Sequence, residues 1–250
     1  MSVVAISSAR ETAAADGAPL LRWMIFTGAS VFAAVLLWQY GLIHLMVVSD
    51  RTYISSIIAA LYVVASLHCL WRTIAIGCED DAAHSAARRI EAGEVNFAAD
   101  VGDALPDGLI ADHIRDLARK ARTQRAGQLD QTLLLRSLAD RLRGSNGFGA
   151  FASDTLIKLG LLGTIIGFII MLAPIAGLDA ADRTLLKSSM GLMGDGMAVA
   201  MYTTLAGLVG SILLKIQYYM LDAATERVFS QAVRLTETRV APALERRDAR

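Results

Sequence analysis

Threonine and glycine recur inside two strongly apolar stretches of the sequence. The first stretch reads LGLLGTIIGFIIML over 159–172, and the second reads GMAVAMYTTLAGLVGS over 196–211. In hydrocarbon an unpaired hydroxyl is costly unless it faces a partner helix or water. A hydroxyl can also replace water around a hydrated proton or a sodium ion without adding charge to the membrane. The pattern therefore predicts either a bundle interior or an ion path.

The predicted ion pathway consists of the side chains Thr164, Thr203, Thr204 and Ser211. Thr164 lies about ten residues beyond Asp154, and Thr204 lies about eleven residues before the next lysine. At about 1.5 Å per residue of helix, both hydroxyls lie roughly 15 Å from the cytoplasmic edge. We expect them to occupy one layer near the middle of the membrane.

A polar stripe leads from Thr204 toward the cytoplasm, because Ser211 and Lys215 follow it on the same helical face. The stripe has no carboxylate for loading and unloading an ion. Asp195 is the one acidic residue of the surrounding apolar run, and it lies on the face opposite Thr204. We expect Asp195 to line the outer vestibule, and a partner protein to supply the carboxylate of the ion path.

Small residues line one face of each stretch, which permits close helix packing of the GxxxG kind. The predicted packing residues are Gly160, Gly163 and Gly167 in the first stretch, and Gly196, Ala200, Gly207 and Gly210 in the second. Taken alone, the glycines are explained equally well by helix packing without a pore. The threonines favour the pore.

The rest of the composition is that of a membrane protein. Hydrophobic residues make up 54% of the chain and aromatic residues only 6%, and the mean hydropathy is +0.46. Four apolar runs, at 20–48, 53–76, 155–178 and 185–219, each reach the roughly 20 residues that a transmembrane helix needs. We therefore predict an all-α membrane protein with four transmembrane helices. The zero net charge gives no indication of nucleic-acid binding.

The basic residues predict the orientation. Arginines are concentrated in the loop 77–152 and in the tail 220–250, whereas the short turns have few. The positive-inside rule places both segments in the cytoplasm, and with them both termini. The leader 1–19 has no apolar face to bury and is predicted to be a cytoplasmic segment.

Helices are predicted within the loop and the tail as well. One covers 79–92 and is stopped by Gly93, and an amphipathic stripe over 110–142 indicates another, with Gly127 as an interruption. The fourth run is expected to continue into the cytoplasm as a helical extension that frays near Pro242.

Two boundary residues have predicted roles. Arg72 is expected to anchor the second run at the interface by extending its charged end to the headgroups. Ser153 or Asp154 is expected to cap the third membrane helix, after a break at 144–149.

The sequence LGLLGTIIGF, followed some forty residues later by MAVAMYTTLAGL, resembles the MotA/TolQ/ExbB proton channel family. The resemblance covers about 153–219. It implies a multi-pass subunit of a bacterial inner-membrane motor, which forms a homopentameric ring in the lipid around a dimer of a single-span MotB/TolR/ExbD-like partner. In such a stator-type complex, proton or sodium flow drives rotation or force. The partner brings an aspartate to the pore.

The resemblance can be carried over to particular residues. Thr164 and Thr204 match the pore threonines of the family, and the matching small positions are Gly160, Gly163, Gly167 and Gly207. The branch within the family stays open. Val199 stands where the biopolymer-transport branch has a glutamate, and Ile157 and Gln217 stand where the flagellar branch has prolines.

No pattern in the sequence predicts an enzyme, a cofactor or a metal. There is no Ser-His-Asp set, no HExxH motif and no cluster of cysteine and histidine at ligand spacing. The alternative function is a four-span membrane scaffold or receptor without ion conduction. In that case the small faces only hold helices together.

Overall fold

The computed structural model of the chain describes residues 18–41, 53–92, 105–123, 130–174 and 183–248. These residues are helical, with short turns and no strand among them. Most of the leader, the end of the first apolar run, the connector before residue 105 and Gly127 lie outside the described residues, and so do the predictions made for them.

The helices follow one another with few connecting residues. They are α1 (Ala18–Gln39), α2 (Ile54–Glu91), α3 (Leu109–Thr123), α4 (Thr132–Arg143), α5 (Gly147–Leu172), α6 (Arg183–Leu235), a π-helical turn (Thr236–Val240) and α7 (Ala241–Asp248).

Three helical stretches are long and apolar enough to cross a membrane: Ile54–Glu91, Gly147–Leu172 and Ser189–Leu244. The described apolar part of α1, Trp23–Gln39, is shorter than a full span. Only between about a fifth and a third of each long apolar window is buried within the chain. Large side chains such as Phe168 are exposed there, as expected for helices that face lipid or neighbouring chains rather than water.

The chain divides into two compact units. The apolar unit consists of Trp23–Leu70 and Gly147–Tyr219, and the polar unit consists of Met1–Arg22, Trp71–Asn146 and Met220–Arg250, within which the described residues are discussed. In the apolar unit, the side-chain amide of Gln217 donates to the hydroxyl of Thr27 at 3.3 Å, which joins α1 to α6.

The polar unit has its own core. The predicted amphipathic stripe is confirmed on α3, where Ile110, Ile114 and Leu117 are fully buried, and on α4, where Leu138 and Leu142 are buried. The stripe is divided between two helices, because α3 ends at Thr123 and α4 begins at Thr132. α3 packs against both α4 and α7.

Two predicted helix boundaries are wrong. The helix predicted from Glu79 is the continuation of α2, which runs without a break past Gly77. A glycine within an otherwise helix-forming stretch costs only about 1 kcal/mol, so a change from apolar to polar composition need not end a helix. α5 begins at Gly147, and Ser153 does not cap it, since its hydroxyl donates to Ala150 O within the helix at 3.0 Å.

The predicted fraying near Pro242 is also wrong. The helix passes through Pro242 by way of the π-helical turn and ends at Asp248. Proline lacks the amide hydrogen that an α-helix needs, and the chain changes its hydrogen-bond pattern in the turn just before it. The predicted extension of α6 beyond the apolar run is confirmed.

Arg72 caps a helix instead of extending toward headgroups. Its Nη2 donates to Leu142 O at 2.8 Å and to Arg143 O at 3.2 Å, the backbone carbonyls left unpaired at the end of α4. Its Nε donates to Asn146 Oδ1 at 3.3 Å, and the amide of Asn146 donates to Asp222 Oδ1 at 2.9 Å. The turn before α5 is therefore held to both α2 and α6.

Gly144 makes this turn possible, and its substitution tests the contact. Its φ of +45° lies in the left-handed region, and a Cβ there would stand 3.0 Å from Nη2 of Arg72. We expect Gly144→Ala to lower the free energy of unfolding by about 1–3 kcal/mol, measured by thermal unfolding of the detergent-solubilised chain. Gly147→Ala is the matched control, because a Cβ at Gly147 would meet nothing within 4 Å. Equal melting temperatures for both variants would contradict the expectation.

Glu79 caps the start of α3. Its Oε2 accepts a hydrogen bond from the Leu109 amide at 2.8 Å, at the positive end of the helix. Burial raises the pKa of Glu79 above its ordinary value of 4.5, although the hydrogen bond from Leu109 lowers it. The carboxylate of Asp112 raises it further. The cost of ionising Glu79 therefore appears as the pH rises through this raised pKa.

His113 on α3 responds to pH in the opposite direction. Its side chain is buried, and its Nε2 has no hydrogen-bond partner among the described residues. Burial lowers the pKa of His113 below its ordinary value of 6.5, while the charge of Asp116 opposes that shift. The folded unit therefore favours the neutral ring, and the stability that this gives is lost as the pH falls through about 6.5.

We predict that lowering the pH from 7.5 to 6.0 will speed amide hydrogen exchange in α3, as measured by mass spectrometry after correction for intrinsic exchange rates. His113→Gln should remove most of this pH response, whereas Glu79→Gln should keep it, because Glu79 shifts in the other direction. An unchanged response in His113→Gln would show that another group titrates.

Candidate functional site

α5 and α6 contact each other along a line of glycines that we call the seam. A Cβ added to Gly160 would lie 3.1 Å from Thr203 O and 3.3 Å from Gly207 Cα. A Cβ on Gly207 would lie 2.5 Å from Leu156 O. Contacts between atoms of the two backbones are this close only where no side chain separates the helices.

The seam continues toward the other end of the helix pair. A Cβ on Gly167 would lie 2.6 Å from Gly196 O and 2.7 Å from Ala200 N, and one on Gly196 would lie 2.6 Å from Met171 N. Higher numbers on α5 thus meet lower numbers on α6, so the two helices are antiparallel. Gly210 lies at the edge of the seam, with Leu156 and Tyr62 at ordinary contact distances of 3.7 and 3.9 Å.

Thr203 lies inside the seam. It is completely buried, and its side chain occupies the space that a Cβ on Gly163 would need. Its Oγ1 donates to the carbonyl oxygen of Val199 at 2.8 Å. This position makes Thr203 a packing residue within the chain, and its role in ion passage stays a prediction.

Thr164 and Thr204 each follow a seam residue by one position, Gly163 and Thr203 respectively. One residue along an α-helix rotates the side chain by about 100°. Because the helices are antiparallel, these rotations have opposite sense when viewed along the pair and carry both threonines to the same side. Both side chains are half-buried. We call this side of the seam the threonine edge.

The two threonines also lie at similar levels along the helices. Thr204 is level with Gly160, because its Cα would lie 3.4 Å from a Cβ on that glycine. Thr164 follows Gly160 by four residues, which is about 6 Å along the helix axis. The predicted layer of hydroxyls is thus present as a spacing of about one helical turn.

Each threonine hydroxyl donates its hydrogen to a backbone carbonyl. Thr164 Oγ1 donates to Leu161 O at 2.6 Å, and Thr204 Oγ1 donates to Ala200 O at 2.9 Å. Gly160 O lies a further 3.4 Å from the Thr204 hydroxyl. With their hydrogens engaged in this way, the oxygens can still accept hydrogen bonds or coordinate a cation. The chemistry of the threonine edge therefore suits a hydronium or metal cation better than an anion.

Ser211 extends the threonine edge by about two helical turns from Thr204. It is 1% exposed, and its Oγ has no hydrogen-bond partner among the described residues. A buried polar atom without a partner costs about 1–3 kcal/mol, so such positions usually bind water or an ion. Asp195 is exposed on α6, on the face opposite Thr204, and the two are not brought together.

An aromatic cluster at one end of the seam was not found from the sequence. The ring of Tyr218 packs against the backbone of Gly149, and its hydroxyl lies 2.7 Å from Nδ1 of His68 and 3.3 Å from Ala65 O. The His68 ring also meets Phe148 edge-on, with 5.0 Å between ring centres. The signal that was missed is a glycine immediately after an aromatic residue at the start of an apolar helix.

The described residues contain no group of three or more His, Cys, Asp or Glu side chains that could bind a metal ion. With long apolar helices, a glycine seam and hydroxyls beside it, the fold and site define a multi-span α-helical membrane protein. The model of the MotA/TolQ/ExbB proton channel family matches residues 105–233, more than half of the chain. The chain belongs to this family.

The family match confirms the resemblance and extends it. The residues compared by motif were 153–219, and the match also includes α3 and α4 of the polar unit. Comparison with curated proteins gives no match, and comparison with solved structures gives none either.

The contact between Gly163 and Thr203 leaves no room for a methyl group. We expect Gly163→Ala to lower the free energy of unfolding by about 1–3 kcal/mol, because α5 and α6 must separate locally. The measurement is thermal unfolding of the purified chain in detergent. Thr203→Ala should recover part of the loss in the double variant, as contacting residues do in a double-mutant cycle.

Gly210→Ala is the matched control, since a Cβ there makes only ordinary contacts. If Gly163→Ala melted at the same temperature as Gly210→Ala, the described seam would be incorrect.

Proposed function

We propose that this chain is the channel-forming, stator-type subunit of an ion-driven motor in the bacterial inner membrane. It crosses the membrane four times with both termini in the cytoplasm. Five copies surround two copies of a single-span partner of the MotB/TolR/ExbD type. Proton or sodium flow through this complex is coupled to rotation or force. The observation that carries the proposal is the threonine edge, together with membership of the family.

The closed seam supports a path that lies outside the individual chain. No ion can pass between α5 and α6 where Gly160, Gly167 and Thr203 bring the two backbones together. The half-buried hydroxyls of Thr164 and Thr204 lie beside that contact. A path along this edge is completed only by other helices, which a ring of subunits and a central partner would provide.

Charge considerations favour a carboxylate supplied by the partner. Hydroxyls lower the cost of moving a cation through hydrocarbon, but they do not bind and release it in discrete steps as an ionisable group does. Asp195 lies on the opposite face of α6 from Thr204, about 13 Å away along the helix. A partner aspartate that visits each threonine edge in turn would load and unload one ion per visit.

Ser211 provides a continuation of this route. Its unpartnered oxygen lies on the same face as Thr204, and the exposed Lys215 follows one turn later. An ion released from the partner would then pass a water held at Ser211 before it meets the cytoplasm. The lysine would repel cations that arrive from the cytoplasmic side.

The second candidate is a four-span scaffold or receptor without conduction, and the seam alone would serve it equally well. The two proposals differ in what the threonine hydroxyls do. In a scaffold they satisfy only their own backbone carbonyls, so their removal is mild. In a channel, their removal stops ion flow while the assembly remains intact.

We therefore predict that Thr164→Ala and Thr204→Ala each reduce ion flux at least about tenfold, which corresponds to the loss of roughly one good hydrogen bond at the barrier. Flux is measured in proteoliposomes containing the co-expressed partner, under separate proton and sodium gradients. The serine variants should retain most activity, because they keep the oxygen.

Thr155→Ala is the matched control. Thr155 lies on the same helix and donates to a backbone carbonyl in the same way, at 2.7 Å to Phe151 O, but it faces away from the threonine edge. Native mass spectrometry should find five copies with two partner chains in every variant. Normal flux in both alanine variants would support the scaffold, and a monomer in the native spectrum would contradict the ring.

A further inference from the structure

A cavity of about 270 Å³ opens in the polar unit, between the last turns of α2 and the end of α6. Its walls carry the polar side chains of His84, Glu91, Gln231, Arg234, Thr238 and Arg239. Small side chains, including Ala83 and Ala87, form the rest of the wall and leave the space open. We call it the arginine cavity. It lies outside the apolar unit and has no part in the proposed ion path.

The π-helical turn brings the two arginines together. The Ala241 amide donates to Thr236 O, five residues back, so this turn contains one residue more than an α-helical turn. In an uninterrupted α-helix, Arg239 would point about 140° away from Arg234. With the extra residue, Arg239 stands about where the fourth residue after Arg234 would stand, only about 40° away. Both side chains then line one cavity.

The turn has a local cause and a recognised association with function. Pro242 cannot donate a backbone hydrogen bond, which disfavours a regular α-helix through the preceding residues. π-helical turns within long helices are rare and occur frequently at functional sites. Here the turn positions two guanidinium groups that regular geometry would separate.

The charges of the arginine cavity are incompletely balanced. Nη2 of Arg239 lies 3.6 Å from Oε1 of Glu91. The guanidinium of Arg234 has no ion pair or hydrogen bond to any described residue. With two arginines and one glutamate, the walls carry a net positive charge. His84 adds a polar nitrogen, because its Nδ1 donates to Asp80 O at 2.9 Å and leaves Nε2 for a ligand.

These features select the ligand chemistry. A guanidinium presents paired N–H donors whose spacing matches the oxygens of phosphate and carboxylate. Two guanidinium groups on neighbouring turns can bind several oxygens of one tetrahedral anion. The volume lies just below the range of roughly 300–1,000 Å³ typical of drug-sized ligands, which excludes a nucleotide and suits a smaller molecule.

We infer that the arginine cavity binds the phosphate group of a small cytoplasmic solute, either free phosphate or a phosphate monoester of a few carbon atoms. A lipid headgroup is the poorer source, because Arg234 lies about 21 Å along α6 from Met220, where the polar unit begins. The bound anion pairs with Arg234 and shares Arg239 with Glu91.

Binding is tested on the full chain in detergent with three probes: inorganic phosphate, glycerol 3-phosphate and uncharged glycerol. The phosphate probes should raise the melting temperature in a saturable manner, as a ligand specific to the folded state does, and glycerol should not. Tighter binding of glycerol 3-phosphate would identify a phosphate monoester, and equal binding would identify free phosphate. Either result supports the proposal.

Substitutions locate the site. Arg234→Gln and Arg239→Gln should each weaken phosphate binding at least about tenfold. Arg227→Gln is the matched control on the same helix, because Arg227 does not line the cavity. Pro242→Ala should also weaken binding while keeping both arginines, since it removes the cause of the π-helical turn. Circular dichroism checks that the helices of each variant are intact.

The proposal is overturned if phosphate gives no saturable shift, or if Arg227→Gln and Arg234→Gln respond alike, since the effect would then be general ionic screening. The assay needs neither ion flux nor the partner protein. It can therefore fail while the proposed channel stands, and succeed if the channel proposal is abandoned.

Discussion

The contact of Thr203 with Gly163 is the constraint on which the functional side of the molecule depends. A threonine side chain fills the place of a missing Cβ on the opposite helix, so neither helix can rotate or slide without a collision. This fixed register determines where the next residue on each helix lies. Thr164 and Thr204 share an edge only because Gly163 and Thr203 face each other and the helices run in opposite directions. The packing and the candidate ion path are thus two results of one contact.

The helices and their faces were predictable from the sequence, because apolar periodicity and small-residue spacing are local properties. The difference between Thr203 and Thr204 was not. Adjacent threonines point about 100° apart, and only the position of the other helix determines which is enclosed and which stays at the edge. The capping role of Arg72 was also out of reach, since the carbonyls it binds are about 70 residues away in sequence. Composition changes at Gly77, yet α2 continues, because backbone hydrogen bonds form in lipid and water alike.

The polar unit is built on one recurrent solution to the problem of helix ends. The start of α3 is satisfied by Glu79 of α2, and the end of α4 is satisfied by Arg72 of the same helix. Both short helices thus depend on side chains of α2 for groups that would otherwise be unpaired. The π-helical turn is a third adjustment, made for the amide hydrogen that Pro242 lacks. In each case a backbone requirement decides where a charged side chain is placed.

The Arg72 contacts also have a consequence for the order in which the protein is made. Chains leave the ribosome from the N-terminus at about 5–20 residues per second. The bonds from Arg72 to the end of α4 can form as soon as that helix has emerged, before α5 is complete. The bond from Asn146 to Asp222 must wait until nearly the whole of α6 has been synthesised. The nascent chain therefore sets the entry of α5 into the bilayer first, and its last synthesised helix closes the junction.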